Sequence, residues 1–120
     1  MNIQKKTVNG KTFAVVESGQ VIITEAQSAL DFMMTMRYEM DCAGVILNKA
    51  ALCEDFFVLS SGIAGEILQK FSNYRLVFGI YGDFSGYTSK PLRDFMYESN
   101  QGRQVAFSAT AEDALQLLAK

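Results

Sequence analysis

The spacing of apolar residues changes along this chain from period two to period three and a half and back, and each change marks an element. Ile3–Val8 and Lys11–Glu17 flank Asn9-Gly10, the strongest short hairpin signal in the sequence, and Phe13, Val15 and Val16 give the second arm strand character. Ser18-Gly19 makes a further turn, followed by a brief extended run, Val21-Ile22-Ile23. Thr24-Glu25-Ala26-Gln27 reads as a capping box, with Thr24 capping and Gln27 reaching back. The helix that it opens sets Ala26, Leu30, Met33 and Met40 near one face. Gly44-Val45-Ile46-Leu47 is wholly apolar and short, as expected of a strand buried on both faces. A loop over 48–54 and the run Asp55-Phe56-Phe57-Val58-Leu59 follow.

Ile63, Ile67, Phe71 and Tyr74 recur at helical spacing, which predicts a helix over Ser61–Tyr74 with Glu66 and Lys70 paired on its wet face. Arg75–Tyr81 is the next buried strand, and Gly82-Asp83-Phe84-Ser85-Gly86 is a loop by composition. Thr88-Ser89-Lys90-Pro91 starts a helix with proline in its first turn, turning Leu92, Phe95, Met96 and Ser99 inward; Asn100-Gln101-Gly102 ends it, with Gly102 at C′. Gln104–Ser108 is a last strand, and Thr110-Ala111-Glu112-Asp113 caps a helix through Ala114, Leu117 and Leu118. The order β-β-α-β-α-β-α-β-α implies an α/β fold. Its five-stranded sheet is mixed and mostly parallel, with an antiparallel strand from the N-terminal hairpin and about four helices.

Composition narrows what such a fold is for. At 120 residues the chain is expected to be one domain spanning 1–120, long enough to bury a core without staples. Eleven basic against thirteen acidic residues argue against a nucleic-acid binder, and Lys5, Lys6 and Lys11 read as an edge-strand face. No apolar run reaches the length of a membrane span, and the polar start Asn2–Thr7 does not read as a signal peptide. Cys42 and Cys53 read as reduced thiols of a cytoplasmic protein. There is no histidine, so metal sites of Cys/His type and Ser–His or Cys–His catalysis are excluded. No cofactor and no enzymatic activity are expected.

The richest stretch chemically is Leu59-Ser60-Ser61-Gly62-Ile63, where two hydroxyls meet a helix N-terminus and suit an anion or a phosphorylated side chain. Beyond the carboxyl ends of the strands, the sequence also gathers Asn48, Ser61, Gly62, Asp83, Ser85, Thr88, Ser89, Lys90 and Arg93 as a candidate anion or ligand pocket. Their competing reading is as helix caps and turn residues, and Gly82-Asp83 lacks both receiver-type acidic companions and P-loop spacing. Phe56, Phe57, Tyr97 and Arg103 are candidates for a partner surface. On extended backbone Phe56 and Phe57 would point to opposite sides, one inward and one outward.

Val45-Ile46-Leu47-Asn48 ahead of Ser60-Ser61-Gly62-Ile63, with the closing helix at Glu112-Asp113-Ala114-Leu115, resembles the STAS fold of anti-sigma-factor antagonists. That resemblance implies a regulatory module with an unidentified protein partner (a kinase or a regulator) and phosphorylation at Ser60 or Ser61 that releases the partner. Leu59 stands where that family carries an acidic residue; Asp55 is the nearest carboxylate. Longer motifs are similar to a bacterial family described as domain of unknown function 4180. They are Phe56-Phe57, Ala64–Phe71, Gly82-Asp83-Phe84-Ser85 and Arg93–Asn100. Two functions stay open: a phospho-switched protein-interaction module, monomer or homodimer, and a small anionic ligand binder.

Overall fold

The computed structural model describes Met1–Lys120. Its elements are β1 (Asn2–Val8), β2 (Lys11–Glu17), α1 (Ala26–Met40), β3 (Gly44–Asn48), α2 (Ile63–Asn73), β4 (Val77–Tyr81), α3 (Lys90–Gln101), β5 (Val105–Ser108) and α4 (Ala111–Leu118). Between β3 and α2 the chain makes three 3₁₀ turns, Lys49–Ala51, Glu54–Phe57 and Leu59–Ser61. The α/β architecture expected from the sequence is the one found: a five-stranded mixed sheet with four helices.

The strands lie in the order β1-β2-β3-β4-β5. The β1–β2 hairpin is antiparallel, turned by Asn9 (φ +52°) and Gly10 (φ +78°) as a type I′ turn requires. The remaining pairs are parallel, with Val45 opposite Ala14 and Phe78, and Ile80 opposite Phe107. Every crossover therefore steps the same way, and right-handed crossovers then put α1, α2 and α3 on one face. The core follows. Ala14, Val16, Leu47, Phe78 and Phe107 pack under Met33, Ile67, Phe71 and Leu92, whereas Phe13, Ile46 and Ala106 pack under Ala114, Leu115 and Leu118 of α4. Alternate residues of the same strands thus feed two clusters, which is why the central strands read as unbroken apolar runs.

Several local expectations are corrected. The α1 cap is Glu25, not Thr24. Its carboxylate accepts from the Gln27 and Ser28 amides at 2.8 Å, and the Ser28 hydroxyl reaches back to the Glu25 amide. This is a capping box with acid and hydroxyl exchanged, an exchange that works because a carboxylate accepts amide hydrogens as well as a hydroxyl does. Ala29, Met33 and Met36 are the buried residues of α1; Ala26, Leu30 and Met40 lie half-buried at the margin. Helix α2 starts at Ile63, two residues later than expected. Glu66 and Lys70 form no ion pair, and the one salt bridge in the molecule joins Lys90 to Asp94. Gly102 ends α3 with φ −94°, outside the left-handed C′ geometry. Strand β4 begins at Val77 because Arg75 is left-handed (φ +56°) and the Leu76 amide bonds back to Phe71 O.

Candidate functional site

Parallel strands offer ligands their carboxyl ends, most often where the strand order reverses. Here the order never reverses, and the segment 49–62 fills the carboxyl edge with its own chain. Ala51 O accepts from the Ile22 and Ile23 amides at 2.7 and 3.0 Å, and the Cys53 amide donates to Ile23 O at 2.9 Å. This short parallel bridge, Ile23 to Leu52, seats the first turns on the entry to α1. The next turn carries Phe56 and Phe57, and both are buried, at 1 and 5% exposure. The expectation that they diverge fails because the backbone is 3₁₀, not extended: residues about 120° apart can both turn inward.

Phe57 anchors an aromatic layer. It meets Phe56 edge-on at 5.1 Å, stacks on Tyr87 at 4.9 Å and lies 6.0 Å from Phe84, which in turn meets Phe107 at 5.9 Å. Phe84 and Tyr87 come from the loop between β4 and α3, so this layer glues that loop to the 3₁₀ segment. Polar contacts hold its rim. The Tyr87 hydroxyl donates to the Glu54 carboxylate, both of whose oxygens lie at 3.1 Å. Lys49 donates to Asp83 O at 2.8 Å and sits 4.9 Å from the centre of the Tyr87 ring. Burial, and then the Glu54 carboxylate that accepts its hydrogen, push the Tyr87 phenol up to about 12.

The predicted pocket residues do not converge on one site, although Ser85 and Arg93 line one cleft together. Asn48 is spent on Ser18: Nδ2 donates to Ser18 O at 2.7 Å and Oδ1 accepts from the Ser18 amide at 2.8 Å. Its amide continues the β2–β3 ladder by one rung. Asp83 makes an Asx turn; the Ser85 hydroxyl and then the Ser85 amide (2.9 Å) hold its carboxyl below the usual range. Ser89 caps α3 through the Leu92 amide, at 3.4 Å. Lys90 is turned to Asp94, at 2.6 Å, whose carboxylate raises the ammonium pKa. Thr88 is exposed, and Arg93 is exposed without an ion-pair partner. No three Cys, Asp or Glu side chains lie together as a metal ligand set.

The paired serines differ sharply. Ser61 Oγ donates to Asp55 O at 2.7 Å and accepts from the Ile63 amide at 3.2 Å, so it ties the 3₁₀ segment to the first turn of α2. Ser60 is exposed and its hydroxyl has no hydrogen bond. Neither serine caps α2; Gly62 does so, at φ +80°, a left-handed conformation that glycine adopts without strain.

Two open clefts flank the aromatic layer. One of about 420 Å³ is lined by Phe57, Val58, Leu59, Ser60, Ser89 and Pro91. The other, about 330 Å³, is lined by Phe84, Ser85, Tyr87, Arg93 and Met96. Tyr97 is 69% exposed on the outer side of α3, and Arg103 is exposed beyond its end. The predicted partner surface is thereby divided: Phe56 and Phe57 are inside, Tyr97 is on α3 and Arg103 lies beyond its end. Lys49, Glu54 and Tyr87 were not visible as site residues in the sequence. Their only signal is Phe84-Ser85-Gly86-Tyr87, two aromatics in a loop otherwise built of turn residues.

The fold and rim define a mixed α/β domain in which segment 49–62 packs at the carboxyl edge of the sheet and two shallow clefts lie beside it. The chain belongs to the DUF4180 family (domain of unknown function), whose profile matches residues 8–118. No curated protein and no solved structure matches it. No helix is long and apolar enough to cross a membrane.

Proposed function

We propose that this chain is a non-catalytic protein-interaction module that docks a partner at the cleft of Phe57, Val58, Leu59 and Pro91 and is switched by phosphorylation of Ser60. The observation that carries this reading is the contrast between the serines. Ser60 presents an unbonded, exposed hydroxyl on the lip of an apolar cleft, whereas the Ser61 hydroxyl is engaged on both sides. A kinase needs the first kind of hydroxyl. Val58, 49% exposed, gives the cleft an apolar lip of the kind a partner side chain covers. A phosphate on Ser60 adds nearly two negative charges at that lip and opposes its burial. The resemblance to anti-sigma-factor antagonists supplies the kind of switch.

The packing of segment 49–62 at the carboxyl edge supports an interaction surface over a deep small-molecule pocket. The test is peptide mapping of the protein purified from its native cells, paired with Ser60→Asp and Ser61→Asp in a binding assay against proteins recovered with the wild type. One phosphoryl group on Ser60, with binding lost in Ser60→Asp, is the expected result. An unmodified Ser60 in every growth state, or undiminished binding by Ser60→Asp, overturns the reading.

A further inference from the structure

The cleft on the other side of the aromatic layer has a different chemistry. It is lined by Phe84, Tyr87 and Met96 with one charged group, Arg93. Of the neighbouring carboxylates, Asp94 is paired with Lys90, whereas Asp83 accepts the Ser85 amide and Glu54 the Tyr87 hydroxyl, both neutral donors. Asp83 and Glu54 keep their charge, but neither lines the cleft; Arg93 is its one charged lining residue and has no ion-pair partner. Because the Tyr87 hydroxyl is turned to Glu54, the ring offers the cleft carbon and not oxygen. The result is a guanidinium fork beside two aromatic rings and a thioether. That combination favours a planar ring carrying an anionic group: the carboxylate accepts from the fork and the ring edge meets aromatic and sulfur surface.

We infer that the cleft between the β4–α3 loop and α3 binds a small aromatic carboxylate, with Arg93 holding the carboxylate and Phe84, Tyr87 and Met96 holding the ring. Its volume, about 330 Å³, accommodates a single-ring acid, and its open mouth makes the complex weak and quickly exchanging. The site stands apart from the switch proposed at Ser60, which lines the other cleft.

Phenylacetate is the probe, titrated into the isotopically labelled protein, with backbone amides and arginine Nε–H groups followed by NMR. The expected result is saturable shifts at Ser85, Tyr87 and Arg93. Cyclohexylacetate, which keeps the charge and loses the aromatic ring, should bind several-fold more weakly, and acetate should not saturate. Arg93→Gln, an exposed substitution that leaves the core untouched, should weaken phenylacetate about tenfold, the usual worth of a charge-assisted hydrogen bond. Absence of saturable shifts overturns the inference. So does equal binding by Arg93→Gln, or by cyclohexylacetate, since either removes the guanidinium or the ring from the recognition. Ser60→Asp should bind phenylacetate as the wild type does, so failure at this cleft leaves the Ser60 reading standing.

Discussion

Segments 48–62 and 82–89 each carry the chain from the carboxyl end of a central strand into a helix, and they bury themselves to different depths. The first places Ala51, Leu52, Phe56 and Phe57 in the main core and bonds its backbone to Ile22 and Ile23. The second buries no side chain fully; Phe84 and Tyr87 are half-buried, laid against Phe57, and its rim is held by Lys49 and Glu54 reaching up from the first. One crossing is core that happens to lack regular structure; the other is a surface layer resting on it. One cleft, with Ser60, lies where the support meets the start of α3, and the other, with Arg93, lies between the surface layer and α3. Long connections between a strand and a helix are often read as functional loops. Here much of the longer one is structural, and its contribution to a cleft is confined to Phe57–Ser60.

The largest test of this contrast is in the aromatics. Phe57→Ala removes a ring buried on both sides and should destabilise the fold by about 3–5 kcal/mol in chemical denaturation, whereas Phe84→Ala should lose roughly half as much. Equal losses would mean that the two crossings form one layer. Asn48 comes next. Asn48→Ala leaves the amide and carbonyl of buried Ser18 without partners and should lose about 1–3 kcal/mol. Asn48→Asp keeps the acceptor but sets a carboxylate against Ser18 O, so it should not recover the loss. An asparagine that served a ligand instead of the ladder would tolerate both.

These residues show what the chain makes legible before folding. Strands and helices with a single period were readable: Val45–Leu47, Ile63–Phe71 and the Asn9-Gly10 hairpin stand where the pattern put them, to within two residues at the ends. Segment 49–62 was not readable, because 3₁₀ turns have too short a run to show a period and Phe56-Phe57 fits either backbone. The candidate site suffered more. Asn, Ser, Asp and Lys are the residue types of both pockets and caps, and only tertiary partners distinguish them: Ser18 for Asn48, Asp94 for Lys90, the Leu92 amide for Ser89. Spacing in sequence cannot show which hydroxyls are already spoken for.

A smaller effect probes the seam between the crossings. Tyr87→Phe keeps the stack on Phe57 and removes the hydrogen bond to Glu54, for a loss of about 1 kcal/mol at neutral pH. It should also change the alkaline limb of stability. The native phenol titrates near 12 and an unfolded one near 10, so the folded state keeps its proton longer. The contribution of Tyr87 is therefore complete below about pH 10 and declines as pH rises from there toward 12. The wild type should lose this increment over that range and Tyr87→Phe should not, as read from denaturation curves at stepped pH and from the phenolate absorbance of the folded protein.

The finest comparison lies within one dipeptide. Ser61→Ala removes the acceptor of the Ile63 amide and the donor to Asp55 O, at the point where the deep crossing becomes α2. A hydroxyl bonded beside a helix start is worth about 1 kcal/mol, and that is the expected loss of stability. Ser60→Ala removes a hydroxyl with no partner and should change stability by less than about 0.5 kcal/mol, as exposed substitutions do. The same pair should reverse in a kinase assay: incorporation of phosphate should vanish in Ser60→Ala and persist in Ser61→Ala. A structural role and a modifiable role would then be separated by a single peptide bond. If Ser61→Ala is as neutral as Ser60→Ala, the tie between the deep crossing and α2 is not made by that hydroxyl, and the ground for choosing Ser60 over its neighbour is gone.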